Sequence, residues 1–534
     1  MFDGELWIRD GRIRRIWRTG EGSGKEAKEV KKELARYALK DQIELDAAGM
    51  LVTPGFVDIH RHCDAKPFFG TEFGDVLLTQ GITTTVVGNC GISLVPCPKE
   101  EQAARKMYEY YEAVLGAVRA GLPKDYAAYI KGLEASPLPV HLAAMIGTGA
   151  VRIAEKGFSD TPYTREELER AKAQIEEAMR LGAPGVSLGI MYLPECYTRR
   201  EEFISLLKPV GKWGGIAAAH IRGEGDSLVE SVREVIELAA AAGCALEISH
   251  FKSCGMPNWR REIHKAIRLI EEARAAGQRV SCDFYPYEGG ATALTTMLPP
   301  DFVKGDLAGA LDCLGTPKGV EEFRQAVSRT YADWDNYAVT LGWDRILISG
   351  VSRPEHRDWL GRNLKELAKA YGYEDAPAAA AHLMYTEQGK TAIINLSMCQ
   401  EDIDTIAALP YSSVISDSIY ADTDTPHPRL YGAFPKILRE YVLERGVLTL
   451  PDAIRKMTWL PAQQMGLLDR GRLLEGYPAD INIFEPERFR DHATFEDPAR
   501  LSTGLAWCIL AGEIVVQDGR VVKRDAGSVL YRQR

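Results

Sequence analysis

His60 and His62 stand one residue apart where an apolar run ends, in TPGFVDIHRHCD (53–64). In an extended strand alternate side chains share a face. The two imidazoles therefore point one way and Arg61 the other. Two imidazoles side by side can hold one divalent metal. Further donors stand at or near the ends of later apolar runs: Cys90 in ITTTVVGNC (82–90), His220 in GIAAAHIR (215–222), His250 in ALEISH (245–250) and Asp417 in SSVISD (412–417). Imidazoles, a thiolate and a carboxylate are a zinc ligand set. Singly, each has a plainer reading: Cys90 as a small core residue, His220 and His250 as hydrogen-bonded core histidines, Asp417 as a helix cap. Their recurrence in strand order argues for one site. The histidines at 141, 264, 356, 382, 427 and 492 are read as structural or surface groups. His427, in a Pro-rich loop near the site, is the least secure of these.

The elements that would carry these donors are eight apolar strand-like runs. Besides those named, they are FVDIH (56–60), VHLAAMIGTG (140–149), GVSLGIMY (185–192) and RVSCDFYPY (279–287). Amphipathic helices are expected between them. In 164–181 Thr164 and Glu167 make a capping box, Leu168, Ala171, Ile175 and Ala178 form the stripe, and Gly182 is the stop. Asp226 is expected to cap a second helix that ends at Gly243, and a third spans 261–276. Strands alternating with helices mean parallel βαβ units. Eight units predict an α/β chain built as a (β/α)8 TIM-like barrel, whose site lies at the C-terminal strand ends. The barrel is expected over 53–287 and 412–464. A small β-sandwich domain is expected from both chain ends, 1–52 and 465–534, with two N-terminal strands turning at Asp10-Gly11 and strand pattern resuming over 43–52. Residues 288–411 read as an inserted subdomain, a candidate lid. Residues 97–135 read as a helical elaboration, and 18–40 as a charged surface excursion.

Composition sets the bounds. The 534 residues carry a net charge of -10, and 46% are hydrophobic. That argues against a basic nucleic-acid-binding surface. No apolar run reaches the length of a membrane span, and the N-terminus shows no uninterrupted apolar segment of a signal peptide. Ten cysteines without a CxxC pair do not make a disulfide framework. The expectation is a cytoplasmic protein with a small-molecule substrate and no nucleic-acid or membrane partner.

The order HxH, strand-end Cys, His, His, Asp resembles the amidohydrolase superfamily. GITTTVVGNCGIS, SLGIMYLP, AHIRGEGDSLVESVREVIELAAAAG, EISHFKSCG, DFYPY, PHPRLYGAFPKILREYV and ADINIFEPE resemble one branch of it, the N-acyl-D-amino-acid deacylases or D-aminoacylases. The similarity runs from about residue 4 to 522 and is weakest in 18–40, 97–125 and 300–390. It implies one tight zinc on Cys90, His220 and His250. It also implies a second, weaker position on His60, His62 and Asp417, with Cys90 able to bridge. Cyclic-amide relatives bridge their metals with a carbamylated lysine on the fourth strand, and GVSLGIMY has no lysine. Two departures stand out: Cys63 follows the HxH pair, and Thr148 occupies a place where relatives often carry histidine. The abrupt N-terminus further implies that a first strand of the small domain is missing.

The implied reaction is hydrolysis of the N-acyl amide bond of N-acyl-D-amino acids. Zinc supplies Lewis-acid activation of water and of the amide carbonyl. Asp417 takes the proton from water and delivers it to the leaving nitrogen. Tyr192 is the expected oxyanion donor. Lys252 and Arg429 are the expected cations for the substrate α-carboxylate, with Tyr285 adding a hydrogen bond. The plainer reading of the two cations is a solvated charge or a structural salt bridge. The competing functions are a hydantoinase- or dihydroorotase-like cyclic amide hydrolase and a non-catalytic barrel of the same superfamily.

Overall fold

The computed structural model describes residues 2–18, 43–118, 121–331, 334–420, 423 and 425–533. The charged excursion expected at 18–40 therefore lies outside the described residues beyond Arg18. β1 (Gly4–Arg9) and β2 (Arg12–Arg18) pair antiparallel. They turn at Asp10-Gly11, where φ is 52° and 72°, the paired left-handed conformation of a type I′ hairpin. The strand pattern expected over 43–52 is realised only as β3 (Leu51–Pro54). Upstream of it the chain makes a turn closed by Met50 N donating to Ala47 O at 3.0 Å.

The eight apolar runs all become parallel strands. They are β4 (Phe56–Asp58), β5 (Ile82–Val87), β6 (His141–Ala144) continued after Met145 by β7 (Ile146–Gly147), β8 (Gly185–Gly189), β9 (Ile216–His220), β10 (Ala245–Ile248), β11 (Val280–Phe284) and, after a long excursion, β15 (Ser412–Val414). The excursion carries β12 (Gly290–Ala293), β13 (Ile346–Gly350) and β14 (Ala392–Asn395) as a separate antiparallel sheet. Hydrogen-bonded order follows sequence order, β4-β5-β6 in one group and β7 to β11 and then β15 in the other. Beyond their ends the last and first strands also meet: Asp417 N donates to His60 O and His62 N to Ser418 O, both at 2.9 Å. β16 (Ile481–Phe484), β17 (Leu505–Leu510), β18 (Glu513–Gln517) and β19 (Arg520–Val521) close the chain as an antiparallel meander, with β3 on the far side of β16.

Local chemistry explains the helices between the strands. The helix Arg165–Arg180 starts in the Thr164/Glu167 capping box and buries Ala171, Ile175 and Ala178. Leu228–Ala242 stops at Gly243 in the left-handed conformation. Its N-cap is Ser227, not Asp226; the Asp226 carboxylate instead accepts Asn258 Nδ2 at 2.7 Å, which draws it away from the helix N–H groups. The third helix is Glu262–Ala275.

Burial follows the layers. A large apolar cluster lies between the parallel strands and their helices, and the excursion has a second cluster of its own around Phe323, Ile346, Leu367 and Leu383. Phe56 on β4 packs on Phe434, Phe484 and Phe489 with ring centroids 5.8, 6.2 and 6.3 Å away, which ties the first parallel strand to the C-terminal meander. Ile13 of β2 packs with Ala479, Ile481, Ile483 and Ile509, so strands from the two chain ends share a core. No helix among the described residues is long and apolar enough to cross a membrane.

Candidate metal centre

Each expected donor sits at or just past the end of a parallel strand, where the backbone leaves the ladder and side chains converge. His60 and His62 follow β4, Cys90 follows β5, His220 ends β9, His250 follows β10 and Asp417 follows β15. All six are buried. Cys90, His250 and Asp417 hold positive φ angles of 55°, 37° and 47°, the left-handed region that L-residues with side chains seldom adopt. The alternation read from the sequence holds. His60 and His62 turn inward, while Arg61 turns away to donate from Nε to Asp58 and from Nη1 to Tyr420 Oη, each at 2.9 Å.

The donor atoms face one another. Cys90 Sγ lies 3.2 Å from His60 Nε2 and 3.4 Å from His250 Nε2. His250 Nε2 lies 2.8 Å from His220 Nδ1. Asp417 Oδ1 lies 3.4 Å from His60 Nε2 and 3.6 Å from His62 Nε2. Three overlapping groups result, His60/Cys90/His250, His60/His62/Asp417 and His220/Glu224/His250, each with its ligand atoms within 4.8 Å of one another. His62 Nδ1 is buried without a hydrogen-bond partner. Buried donors gathered this closely suit a bound cation, and a thiolate, imidazoles and a carboxylate are a zinc ligand set. The donor types suit the zinc that the sequence implies, and the His60/His62/Asp417 set is gathered as expected, whereas Cys90, His220 and His250 do not form one group among the described residues: Cys90 joins His60 and His250, and His220 joins Glu224 and His250.

The surroundings orient the ligands. Asp283 of β11 accepts the His250 backbone N–H through Oδ1, and its Oδ2 lies 3.6 Å from His60 Nδ1. Glu224 Oε1 lies 2.9 Å from His250 Nδ1 and accepts Lys252 Nζ at 2.5 Å. Carboxylates on the outer nitrogens of histidine ligands fix the ring and raise its basicity. Burial holds the His220 imidazole down at about 4, so it is neutral and able to ligate at neutral pH. Burial alone would raise the Asp417 carboxyl; the Arg429 guanidinium and His60 outweigh it and hold the group well below the usual carboxylate range. Burial opposes the charge on Lys252, and Glu224 more than restores it. Burial also pushes the Tyr192 phenol well up, keeping it a hydrogen-bond donor.

The donors open into a narrow cavity. Its wall includes Tyr192, Lys252 and Tyr285 beside His62, Cys90, His220, His250 and Asp417. The Tyr192 ring centroid lies 4.6 Å from that of His220. Arg429 is set behind the wall. Its Nη1 donates to Asp417 Oδ2 at 2.8 Å, its guanidinium stacks 4.5 Å from the Tyr285 ring centroid, and its Nε and Nη2 are buried without hydrogen-bond partners. His427 is a connector: Nε2 donates to Gly289 O at 2.8 Å and Nδ1 accepts the Arg429 N–H at 3.0 Å. His141 and His356 pair with Asp480 and Glu387, away from the cavity. Thr148 donates to Glu195 and to Ser187 O. Cys63 is buried in the core. Glu224 and Asp283 were missed by reading strand ends. Their signals were an acid between two glycines straight after the His220 strand, and an acid inside the apolar run RVSCDFYPY.

A cluster of zinc-type donors at the C-terminal ends of parallel strands defines a site of the amidohydrolase class, and residues 364–522 match the amidohydrolase family. D-aminoacylase of Alcaligenes xylosoxydans xylosoxydans is 32% identical over 491 residues, spanning 91% of this chain and 89% of the relative. N-acyl-D-glutamate deacylase of the same organism is 33% identical over 494 residues, 90% and 88% of the two chains. N-acyl-D-glutamate deacylase of Bordetella bronchiseptica, solved with zinc and a phosphonate mimic of the tetrahedral intermediate, superposes with a TM-score of 0.80 at 29% identity, covering 99% of this chain and 95% of the other. A D-aminoacylase structure with a binuclear metal centre gives 0.79 at 28% identity, over 99% and 96% of the chains. The chain belongs to the N-acyl-D-amino-acid deacylase (D-aminoacylase) family of the amidohydrolase superfamily.

Proposed function

We propose that the protein is a zinc-dependent hydrolase that cleaves the N-acyl amide bond of N-acyl-D-amino acids to a carboxylate and a D-amino acid. The observation that carries this reading is the Asp417 carboxylate, held ionised and facing the histidine pair in a cavity whose lining also includes the buried Lys252. The similarity to D-aminoacylase and N-acyl-D-glutamate deacylase supports the D preference. We assign the tight metal position to Cys90, His220 and His250, and a second, weaker one to His60, His62 and Asp417, with Cys90 between them. When bound, zinc supplies Lewis-acid activation of water and of the amide carbonyl.

The chain's own groups do the rest. Asp417 accepts the proton of the attacking water and returns it to the departing nitrogen. Arg429, paired to its Oδ2, keeps Asp417 ionised and leaves Oδ1 toward the reacting atoms. The Tyr192 hydroxyl donates to the developing oxyanion. Lys252 and Tyr285 on the wall hold the α-carboxylate, with Arg429 stacked behind Tyr285 as the second cation. Ile92, Val114, Met191, Ala291 and Ile419 form the remaining apolar wall, which suits an apolar acyl group or side chain.

We read the eight parallel strands as a (β/α)8 barrel over 53–287 and 412–464. In this reading residues 1–52 and 465–534 form a small β-sandwich and 288–411 an inserted subdomain. The hydrogen bonds between the ends of β15 and β4 and the separate apolar clusters support this division. The ten cysteines are free thiols, in keeping with a cytoplasmic location.

The test is release of free amine from N-acetyl and N-formyl amino acids of both hands, with hydantoins and dipeptides alongside, for wild type and Asp417→Asn. Turnover confined to D-acyl substrates and lost in the variant is expected. Turnover of cyclic amides alone would overturn the reaction class.

A further inference from the structure

The loop between β9 and the helix Leu228–Ala242 reads R-G-E-G-D-S over 222–227. Glu224 at its centre faces the site and holds Lys252 Nζ at 2.5 Å and His250 Nδ1 at 2.9 Å. The loop backbone points the other way. The N–H groups of Glu224, Gly225 and Ser227 donate to the Asp335 carboxylate at 2.5, 2.7 and 3.3 Å, and the Ser227 hydroxyl joins them at 3.2 Å. Asp335 is buried and comes from the excursion between β12 and β13, far along the chain from the loop it gathers.

The two glycines make room for that carboxylate. A Cβ on Gly223 would stand 1.9 Å from Ser227 Oγ and 2.9 Å from Asp335 Oδ2. A Cβ on Gly225 would stand 3.0 Å from Cys254 O and 3.2 Å from the Asp335 carboxyl carbon. Cys254 N donates to Glu224 O at 2.7 Å and pins the loop from the β10 side. Tyr337, two residues after Asp335, reaches the cavity wall. A carboxylate bonded to several converging N–H groups is rigid and charge-assisted. It transmits the position of the excursion to the loop without touching the reacting atoms.

We propose that Asp335 is a positioning residue for the hydrolysis: by gathering the 224–227 backbone it holds the Glu224 carboxylate against Lys252 and His250, so that the inserted segment sets both a substrate cation and a metal donor. The part concerning Lys252 rests on the deacylase reading above.

The test compares wild type, Asp335→Asn, Glu224→Gln and the double variant as full-length zinc enzymes. The measurements are kcat and KM on an N-acetyl-D-amino acid and on its α-carboxamide, and zinc affinity against a chromophoric chelator. Asp335→Asn is expected to lose about 10- to 100-fold in kcat/KM, mostly through KM, and to weaken zinc binding about tenfold. The relative loss on the carboxamide should be smaller, because that substrate does not use Lys252 as an ion-pair partner. The double variant should be no worse than Glu224→Gln alone, since the two act through one contact. Losses that multiply in the double variant, or a lowered Tm with KM and zinc affinity unchanged, would overturn the proposal. If Asp335→Asn does not fold, Gly225→Ala presses on the same carboxylate and should give the same KM and zinc pattern at smaller size; its absence overturns the proposal equally. If wild type cleaves no N-acyl-D-amino acid, the deacylase reading fails, and the zinc titration alone decides the role of Asp335.

Discussion

At the N-terminal edge of the parallel strands His141 opens β6 and meets Asp480; at the C-terminal edge His60 and His62 meet Asp417. Both pairings are buried, and both link a parallel strand to a distant segment. At the first, every polar atom of the ring has work in the fold. His141 Nδ1 accepts Ser528 N–H at 3.1 Å, its Nε2 lies 3.2 Å from Asp480 Oδ1, and Asp480 also takes Arg470 Nη1 at 2.5 Å and Ala511 N–H at 2.9 Å. At the second, His62 Nδ1 has no hydrogen-bond partner, and His60, His62, Cys90 and Asp417 face one another across 3.2 to 3.6 Å. The same residue types thus make a closed clasp at one edge and an open donor set at the other. Unmet valence, more than composition or burial, marks the functional end.

The sharpest way to break this contrast is Asp417→Asn. It should cut kcat by roughly 10²- to 10⁴-fold in protein that still folds and still fills the tight zinc position, with a lowered Tm because buried Arg429 loses its partner; a folded variant that keeps its kcat would make Asp417 a clasp like Asp480. Replacing a donor of the tight position comes next. Cys90→Ala or His220→Ala should purify with little zinc by elemental analysis, and a chelator should lower the Tm of wild type while leaving that of the variant unchanged. Equal chelator sensitivity in both would place the metal elsewhere. At the other edge, His141→Ala should cost about 1–3 kcal/mol in denaturant unfolding, with kcat/KM of the folded enzyme retained.

The smallest expected effect is on acid stability. His141 and Arg470 outweigh burial and hold the Asp480 carboxyl well below the ordinary Asp value near 3.9. A folded-state pKa below the unfolded one gives stability that is present above the unfolded value and lost as pH falls toward the folded one. The pH-stability curve of Asp480→Asn should therefore run flatter than wild type below about pH 4. An unchanged acid limb would mean that the clasp is not electrostatic.

Sequence reading reached the donors because strand periodicity is local. The end of an apolar run is readable from neighbouring residues alone, and His60, His62, Cys90, His220, His250 and Asp417 all lie at or near such ends, although only the inward turn of His60 and His62 follows from alternation. The left-handed turn at Asp10-Gly11 and the capping box at Thr164 were legible for the same reason. Glu224 was not, since an acid between glycines looks like solvated loop until Asp335 arrives from another part of the chain. Asp226 misled for a related reason: its residue type suits a cap, but Asn258 competes for it. Residues 43–50 carry a strand pattern and stay outside the sheet, whose ladder on β16 begins only at Leu51. Arg429 was found by its motif, yet its ion pair with Asp417 and its place behind Tyr285 depend on three segments meeting.

The left-handed backbone at Cys90, His250 and Asp417 sets selection for activity against selection for heat tolerance. Such a conformation costs an L-residue on the order of 1–2 kcal/mol that glycine does not pay. A screen that rewards only soluble, heat-resistant protein would favour glycine at these three positions, and each such gain would delete a ligand or the proton carrier. Stabilisation campaigns on this scaffold therefore need an activity gate at every round.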